Sequence, residues 1–101
     1  MTDISRHRQR LIDRVLEGEG HTSRDLRRAA FANDGVPEPA RGLIDRIATR
    51  AYAVTGDDVA AVTAALPEDA LFERAVCAAI GQANRQLEAA LAALDAATRK
   101  D

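Results

Sequence analysis

An all-α fold is predicted by three observations. Apolar residues recur at helical spacing in five separate stretches, and no stretch reads as a strand. Glycine, asparagine and proline punctuate those stretches at short intervals, so the connections are a few residues long. Residues 67–97 form one long alanine-rich run in which Val76, Ile80, Ala83, Leu87, Ala90 and Leu94 alternate spacings of four and three. That spacing lays a continuous apolar seam along one helix face, the pattern of a helix that packs along another helix. The expected architecture is a compact bundle of about five helices with a long C-terminal helix, folded as one domain over residues 1–101.

The first helix is expected from about Asp3 to Leu16. Ile4, Leu11, Ile12, Val15 and Leu16 fall on one side, with Arg6, Arg8, Arg10 and Asp13 around the other. Gly18 and Gly20 end it and open a loop through His21. Thr22 with Asp25 three residues later has the form of a capping box and starts a short helix to about Ala32, stopped by Asn33, Asp34 and Gly35. Pro37 and Pro39 open a third helix, because proline is tolerated in a first turn where its missing N–H goes unused. Its apolar positions are Leu43, Ile44, Ile47, Ala48, Ala51 and Tyr52. Thr55 and Asp58 repeat the cap pattern and launch a fourth helix through Val59, Val62 and Leu66. Pro67 breaks it, and Glu68 and Asp69 put negative charge at the positive N-terminus of the last helix. Met1–Thr2 and Arg99–Asp101 are expected to fray.

Composition narrows the function classes. The chain is 47% hydrophobic, but much of that is alanine, and only Phe31, Tyr52 and Phe72 are aromatic. Alanine buries little area at roughly 25 cal/mol per Å² of apolar surface, so a lone chain has a thin core and association would stabilise it. The net charge of −2 argues against a general polyanion binder. Residues 1–52 carry ten Arg against eight acids, and residues 53–101 carry four basic residues against eight acids, so a mildly basic front half precedes an acidic back half. One cysteine excludes an intrachain disulfide, and the opening MTDISRHRQR lacks the character of a signal segment. No apolar run approaches the roughly 20 residues that span a bilayer. A cytoplasmic protein without membrane attachment is the expectation.

The stretch LIDRIATRAYAVTGDDVAAV (residues 43–62), followed by LPEDALFERAVCAAIGQANRQLEAALAAL (residues 66–94), resembles small members of the carboxymuconolactone decarboxylase and alkylhydroperoxidase-D-like superfamily. The shared features are a helix ending in an aromatic residue, a T-x-D-D-V helix start, a break, then F-E and a long small-residue helix. The resemblance covers Pro37 to Leu94 and implies an all-α subunit that packs into dimers, trimers or larger rings through these helices. Peroxidase-type members carry C-x-x-C followed by x-x-x-H, with a glutamate upstream. Here Ile80 stands where the second cysteine belongs and Asn84 where the histidine belongs. In the preferred register the long helix corresponds to a later, non-catalytic helix of the family, and the catalytic segment has no counterpart. Either register removes the thiol–disulfide chemistry.

The remaining candidates are few. Cys77 has acidic Glu73 one turn before it, with Arg74 pointing elsewhere, so a small buried hydrophobe is expected rather than a redox thiol. His7 lies between Arg6 and Arg8, and His21 sits beside Glu19 in a glycine-flanked loop where it could act as an acid–base group. Neither has ligand-spaced neighbours, so no metal and no cofactor is assigned. Asn84 or Arg85 could line a small pocket. Gly81, inside the long helix, suggests close approach of a neighbouring helix. Arg24, Arg27 and Arg28 with Arg41, Arg46 and Arg50 allow a helix-turn-helix to be drawn, but the prolines in its turn and the interleaved acids disfavour nucleic-acid binding. The leading expectation is a non-catalytic homo-oligomer that self-associates, or binds a protein partner, through Val76, Ile80, Ala83, Leu87, Leu91 and Leu94, with Ile44, Ile47 and Tyr52 beneath. The alternative is a decarboxylase or peroxide-related enzyme with His21, Cys77 or Arg85 at a subunit junction.

Overall fold

A computed structural model describes residues 2–99, and among them five α-helices and no strand. They are α1 (Thr2–Glu17), α2 (Arg24–Ala32), α3 (Arg41–Arg50), α4 (Gly56–Thr63) and α5 (Glu68–Arg99), with one 3-10 turn, Ala51–Ala53, following α3. Thr2 and Arg99, where fraying was expected, lie within helices; Met1, Lys100 and Asp101 lie outside the described residues.

The first half of α5 is the scaffold on which the other helices pack. It buries Ala70, Leu71, Arg74, Cys77, Ala78 and Gly81. α2 runs in the same direction as α5: the Thr22 hydroxyl, just before α2, donates to the Ala70 carbonyl, and the Phe31 carbonyl near its end accepts from Arg85. α1 runs the opposite way, with Val15 beside Cys77 and Arg8 donating to Asn84 at 2.7 Å. Ala30, Val36, Ala40, Leu43, Ile44, Val62 and Leu71 close around Cys77 and Ala78 to form the core. Alanine and cysteine at the centre let the helices approach closely but contribute little buried area per residue.

Beyond Arg85, α5 is largely uncovered among the described residues, α1 reaching it only where Arg8 approaches Glu88 and Leu87, and every residue from Gln86 to Arg99 is exposed. The molecule measures 56 × 29 × 20 Å, and its radius of gyration is 15.5 Å, against about 13 Å for a compact chain of this length. α5 alone accounts for about 48 Å at 1.5 Å rise per residue.

Local signals placed most boundaries. Thr55 and Asp58 form the predicted capping box, the Thr55 N–H donating to Asp58 at 3.0 Å and the Asp58 N–H to the Thr55 hydroxyl at 3.2 Å. Asn33 takes the left-handed conformation after α2, and Gly35 follows with φ 72°, a region where a Cβ would be strained.

Four expectations are corrected. Ser23, not Thr22, caps α2, its hydroxyl accepting from the Leu26 N–H at 3.2 Å. The Thr22 N–H is instead drawn to Glu73 of α5. The third helix begins at Arg41 rather than Pro37, because each proline disfavours helical geometry in the residue before it, which forces residues 37–40 into a turn. Tyr52 does not pack beneath α5: it is 88% exposed, whereas Ile44 is fully buried and Ile47 half-buried. Leu11, expected on the apolar side of the first helix, is 52% exposed, while Ile12 is buried.

Candidate functional site

An uncovered apolar surface follows α5, which carries the exposed Phe72, Leu87, Leu91 and Leu94. Of the predicted seam, Val76 and Ile80 are half-buried, and Ala83, Leu87, Leu91 and Leu94 are exposed. Ile80, Ala83 and Leu87 form, with Arg8, Leu11, Ile12 and Asn84, a groove of about 180 Å³ between α1 and α5. Phe72, 68% exposed, lies earlier on the same side of α5, next to a second apolar groove of about 400 Å³ lined by Leu43, Ile47, Val59, Leu71 and Ala75.

This side is distinct from the face that α5 uses within its own chain. At about 100° per residue, Ala70, Cys77, Ala78 and Gly81 point toward α1, α2 and α3, while Phe72, Val76, Ala83, Leu87, Ala90 and Leu94 point away from that face. The charged side chains of the projecting half, Arg85, Glu88, Asp95 and Arg99, all fall off the second stripe. Arg99 pairs with Asp95 at 3.3 Å, and Arg8 approaches Glu88 at 4.0 Å. A charge-free stripe in a chain that is 30% charged is a surface fitted for helix packing.

The candidate catalytic residues are occupied in structural roles. Cys77 is 1% exposed with its Sγ 3.9 Å from the Val15 carbonyl. Burial pushes its thiol above the ordinary range; the Arg27 guanidinium opposes that shift and the Glu73 carboxylate reinforces it. A neutral, enclosed thiol is a poor nucleophile. Arg85 donates to the Phe31 carbonyl at 2.6 Å and to Gln82 at 3.0 Å, closing the C-terminal end of α2 rather than lining a pocket. The His21 ring is exposed at the surface, 4.0 Å from Asp69, and its backbone N–H donates to Glu73 at 2.6 Å. Arg85 lies eight residues beyond Cys77, about 12 Å along α5, so these three residues form no common site. No group of three or more His, Cys, Asp or Glu side chains converges as a metal site among the described residues.

Three side chains carry structural roles that the sequence reading did not assign. Glu73 receives the N–H groups of both His21 and Thr22, tying the loop before α2 to α5. Partial burial would raise its carboxyl, but those two N–H donors and the Thr22 hydroxyl outweigh burial and hold it below the usual carboxylate range. Gly20 leaves the space: a Cβ there would stand 2.8 Å from both carboxylate oxygens. Arg27 is 6% exposed and donates to the Thr22 and Val15 carbonyls at 3.2 and 3.1 Å. Arg74, expected to point away, is turned into the core at 6% exposure, and its Nε finds no partner among the described residues. The helical period places Arg74 at the middle of the buried face, between Cys77 and Ala78, yet its charge gave no reason to expect burial.

Five of the six arginines of the hypothetical helix-turn-helix are engaged within the chain, and Arg50 is exposed at the end of α3. Arg24 and Arg28 pair with Glu17, Arg41 with Glu38 at 3.5 Å, and Arg46 with Asp58 at 2.8 Å. A hollow of about 600 Å³ lies over Asn33, Asp34, Glu38, Arg41 and Asp45, and its polar groups partly satisfy one another, as in the 2.9 Å bond from Asn33 to Asp45. No described helix is long and apolar enough to cross a membrane. No family model matches this sequence, and neither a curated protein nor a solved structure does.

Proposed function

We propose that this chain is a non-catalytic helical protein that self-associates through α5, built like a carboxymuconolactone-decarboxylase-type subunit without its redox centre. The observation that carries this reading is the charge-free stripe on a helix whose last fourteen residues, Gln86 to Arg99, leave the body of the molecule with Leu87, Leu91 and Leu94 exposed. Such a patch on a projecting helix is the surface that association removes from water. Its burial adds apolar area that the alanine-rich core lacks. A cytoplasmic setting belongs to the same proposal and is supported by the single, enclosed cysteine.

The test is native mass by size-exclusion chromatography with light scattering over a wide concentration range. The expected result is a multiple of the 10.8 kDa chain mass. Leu94→Asp, at a position 61% exposed in the single chain, returns a monomer with unchanged helical circular dichroism, because a charge would be buried only in the assembly. Wild-type protein that stays monomeric throughout overturns the proposal.

A further inference from the structure

We propose that the occupant of the α5 stripe is a second copy of this chain, laid antiparallel along it with the two-fold axis at Ala83. This inference rests on the reading of α5 as an association helix and adds the partner, the direction and the register. The stripe residues are Phe72, Val76, Ala79, Ala83, Leu87, Ala90 and Leu94, with spacings of four, three, four, then four, three, four. All seven lie within about 40° of the Ala83 direction at 3.6 residues per turn, over about 33 Å of helix. From Phe72 to Thr98, no charged residue lies within about 60° of that direction.

The spacing reads identically in both directions from Ala83, so an antiparallel copy brings every stripe residue opposite another stripe residue. Ala83 meets Ala83 of the second copy, Ala79 meets its Leu87, Val76 meets its Ala90, and Phe72 meets its Leu94. The central layer pairs the two smallest side chains and the outermost layer pairs the two largest, Phe72 with Leu94. Two helices that cross are closest at the crossing point, where small residues permit a short interaxial distance, and diverge toward their ends, where larger side chains fill the gap. Leu–Ala layers also follow the pattern of large opposite small that close packing needs.

Charge and shape select the antiparallel arrangement over the parallel one. Glu68 and Asp69, both exposed in the first turn of α5, would face Thr98 and Ala97 of the second copy, one residue from its Arg99. Those acids would thus face uncharged side chains rather than each other, Arg99 pairing with Asp95 off the stripe, and the two helix dipoles would be opposed. A parallel pair would set Glu68 and Asp69 against themselves, and would oppose Ala79 to Ala79 and Leu87 to Leu87. The antiparallel register also lays residues 84–99 of each copy along residues 67–82 of the other. The projecting end of one copy therefore covers exposed Phe72 on the other, so the bare length of α5 beyond Arg85 and the bare apolar surface before it fit one another.

Single cysteines test the register, with Cys77 buried and the wild-type chain as control. Ala83→Cys, Ala79→Cys and Leu87→Cys all stand at exposed positions, so their folding is not at risk. Each variant, and an equal mixture of the last two, is oxidised with diamide and run on a non-reducing gel after its native mass and circular dichroism are measured. The expected result is efficient disulfide-linked dimer from Ala83→Cys alone, where two Cβ atoms meet on the axis. The mixture of Ala79→Cys and Leu87→Cys should link several-fold more than either variant alone. Self-linking of Ala79→Cys as efficient as the mixture would mean parallel pairing and overturns the inference, as does an Ala83→Cys that fails to link. If the wild type is nevertheless an oligomer, either result leaves α5 as an association helix with a different register. A wild type that is monomeric at all concentrations removes both proposals together.

Discussion

Arg27 and Arg74 are buried to the same extent in the same small core, yet their surroundings treat them differently. Arg27 reaches two carbonyls at the end of α1 and in the loop before α2, so its charge is partly compensated. The Arg74 Nε has no such partner among the described residues. A buried donor without a partner costs about 1–3 kcal/mol, a cost that an apolar side chain of similar length does not incur. Arg74→Met should therefore raise the urea midpoint without changing the slope of the transition; a lower midpoint would show that the guanidinium is held by a group it needs. Glu73 is the opposite case, a carboxylate with two N–H donors aimed at it. Its folded-state carboxyl lies below the usual range, so its contribution is fully present above the unfolded value and is lost as pH falls through the folded one. The wild type should exceed Glu73→Gln in stability by about 1.5–3 kcal/mol at neutral pH. That margin should shrink only below the ordinary carboxylate range. A margin independent of pH down to strong acid would contradict the anchoring role.

Between elements, Gly81 sets a close approach of α5 to the end of α2. A Cβ at that position would come within 2.7 Å of the Phe31 carbonyl carbon and 2.9 Å of its Cα, both backbone atoms that cannot rotate away. Alanine would improve helix propensity by about 1 kcal/mol. Forcing α2 outward costs about 1–3 kcal/mol and disturbs the bond from Arg85 to the Phe31 carbonyl. The net effect of Gly81→Ala should be a lower thermal midpoint; a rise would mean that α2 can shift freely. The sequence made this approach legible because a glycine inside a helix has few other uses. It made the Thr55–Asp58 box legible because both partners lie within one turn. It misplaced the cap of α2, since Thr22 and Ser23 are adjacent hydroxyls and the choice is made by a carboxylate from another helix. Tyr52 was misplaced because its helical phase was extrapolated through a 3-10 turn, whose three residues per turn rotate the side chain out of register.

The whole molecule is a short bundle with a rod extending from it. The periodicity of α5 was visible in the sequence, but the division of its faces between this chain and another was not, because alanine occupies both sides. The packed positions of α1, α2 and α3 show that the face of Cys77 and Gly81 is the one used within the chain, while Ala83, Ala90 and Leu94 are left outside. The free end of that rod has a further consequence. A helix of some fourteen residues in isolation is marginal in water, because nucleation is unfavourable. Here the docked half of α5 is the nucleus, so the alanine-rich end needs only propagation to remain helical. The binding segment is thereby preorganised. A neighbouring chain meets a formed rod rather than a coil, and most of the backbone entropy of the contact surface has already been lost when the single chain folds.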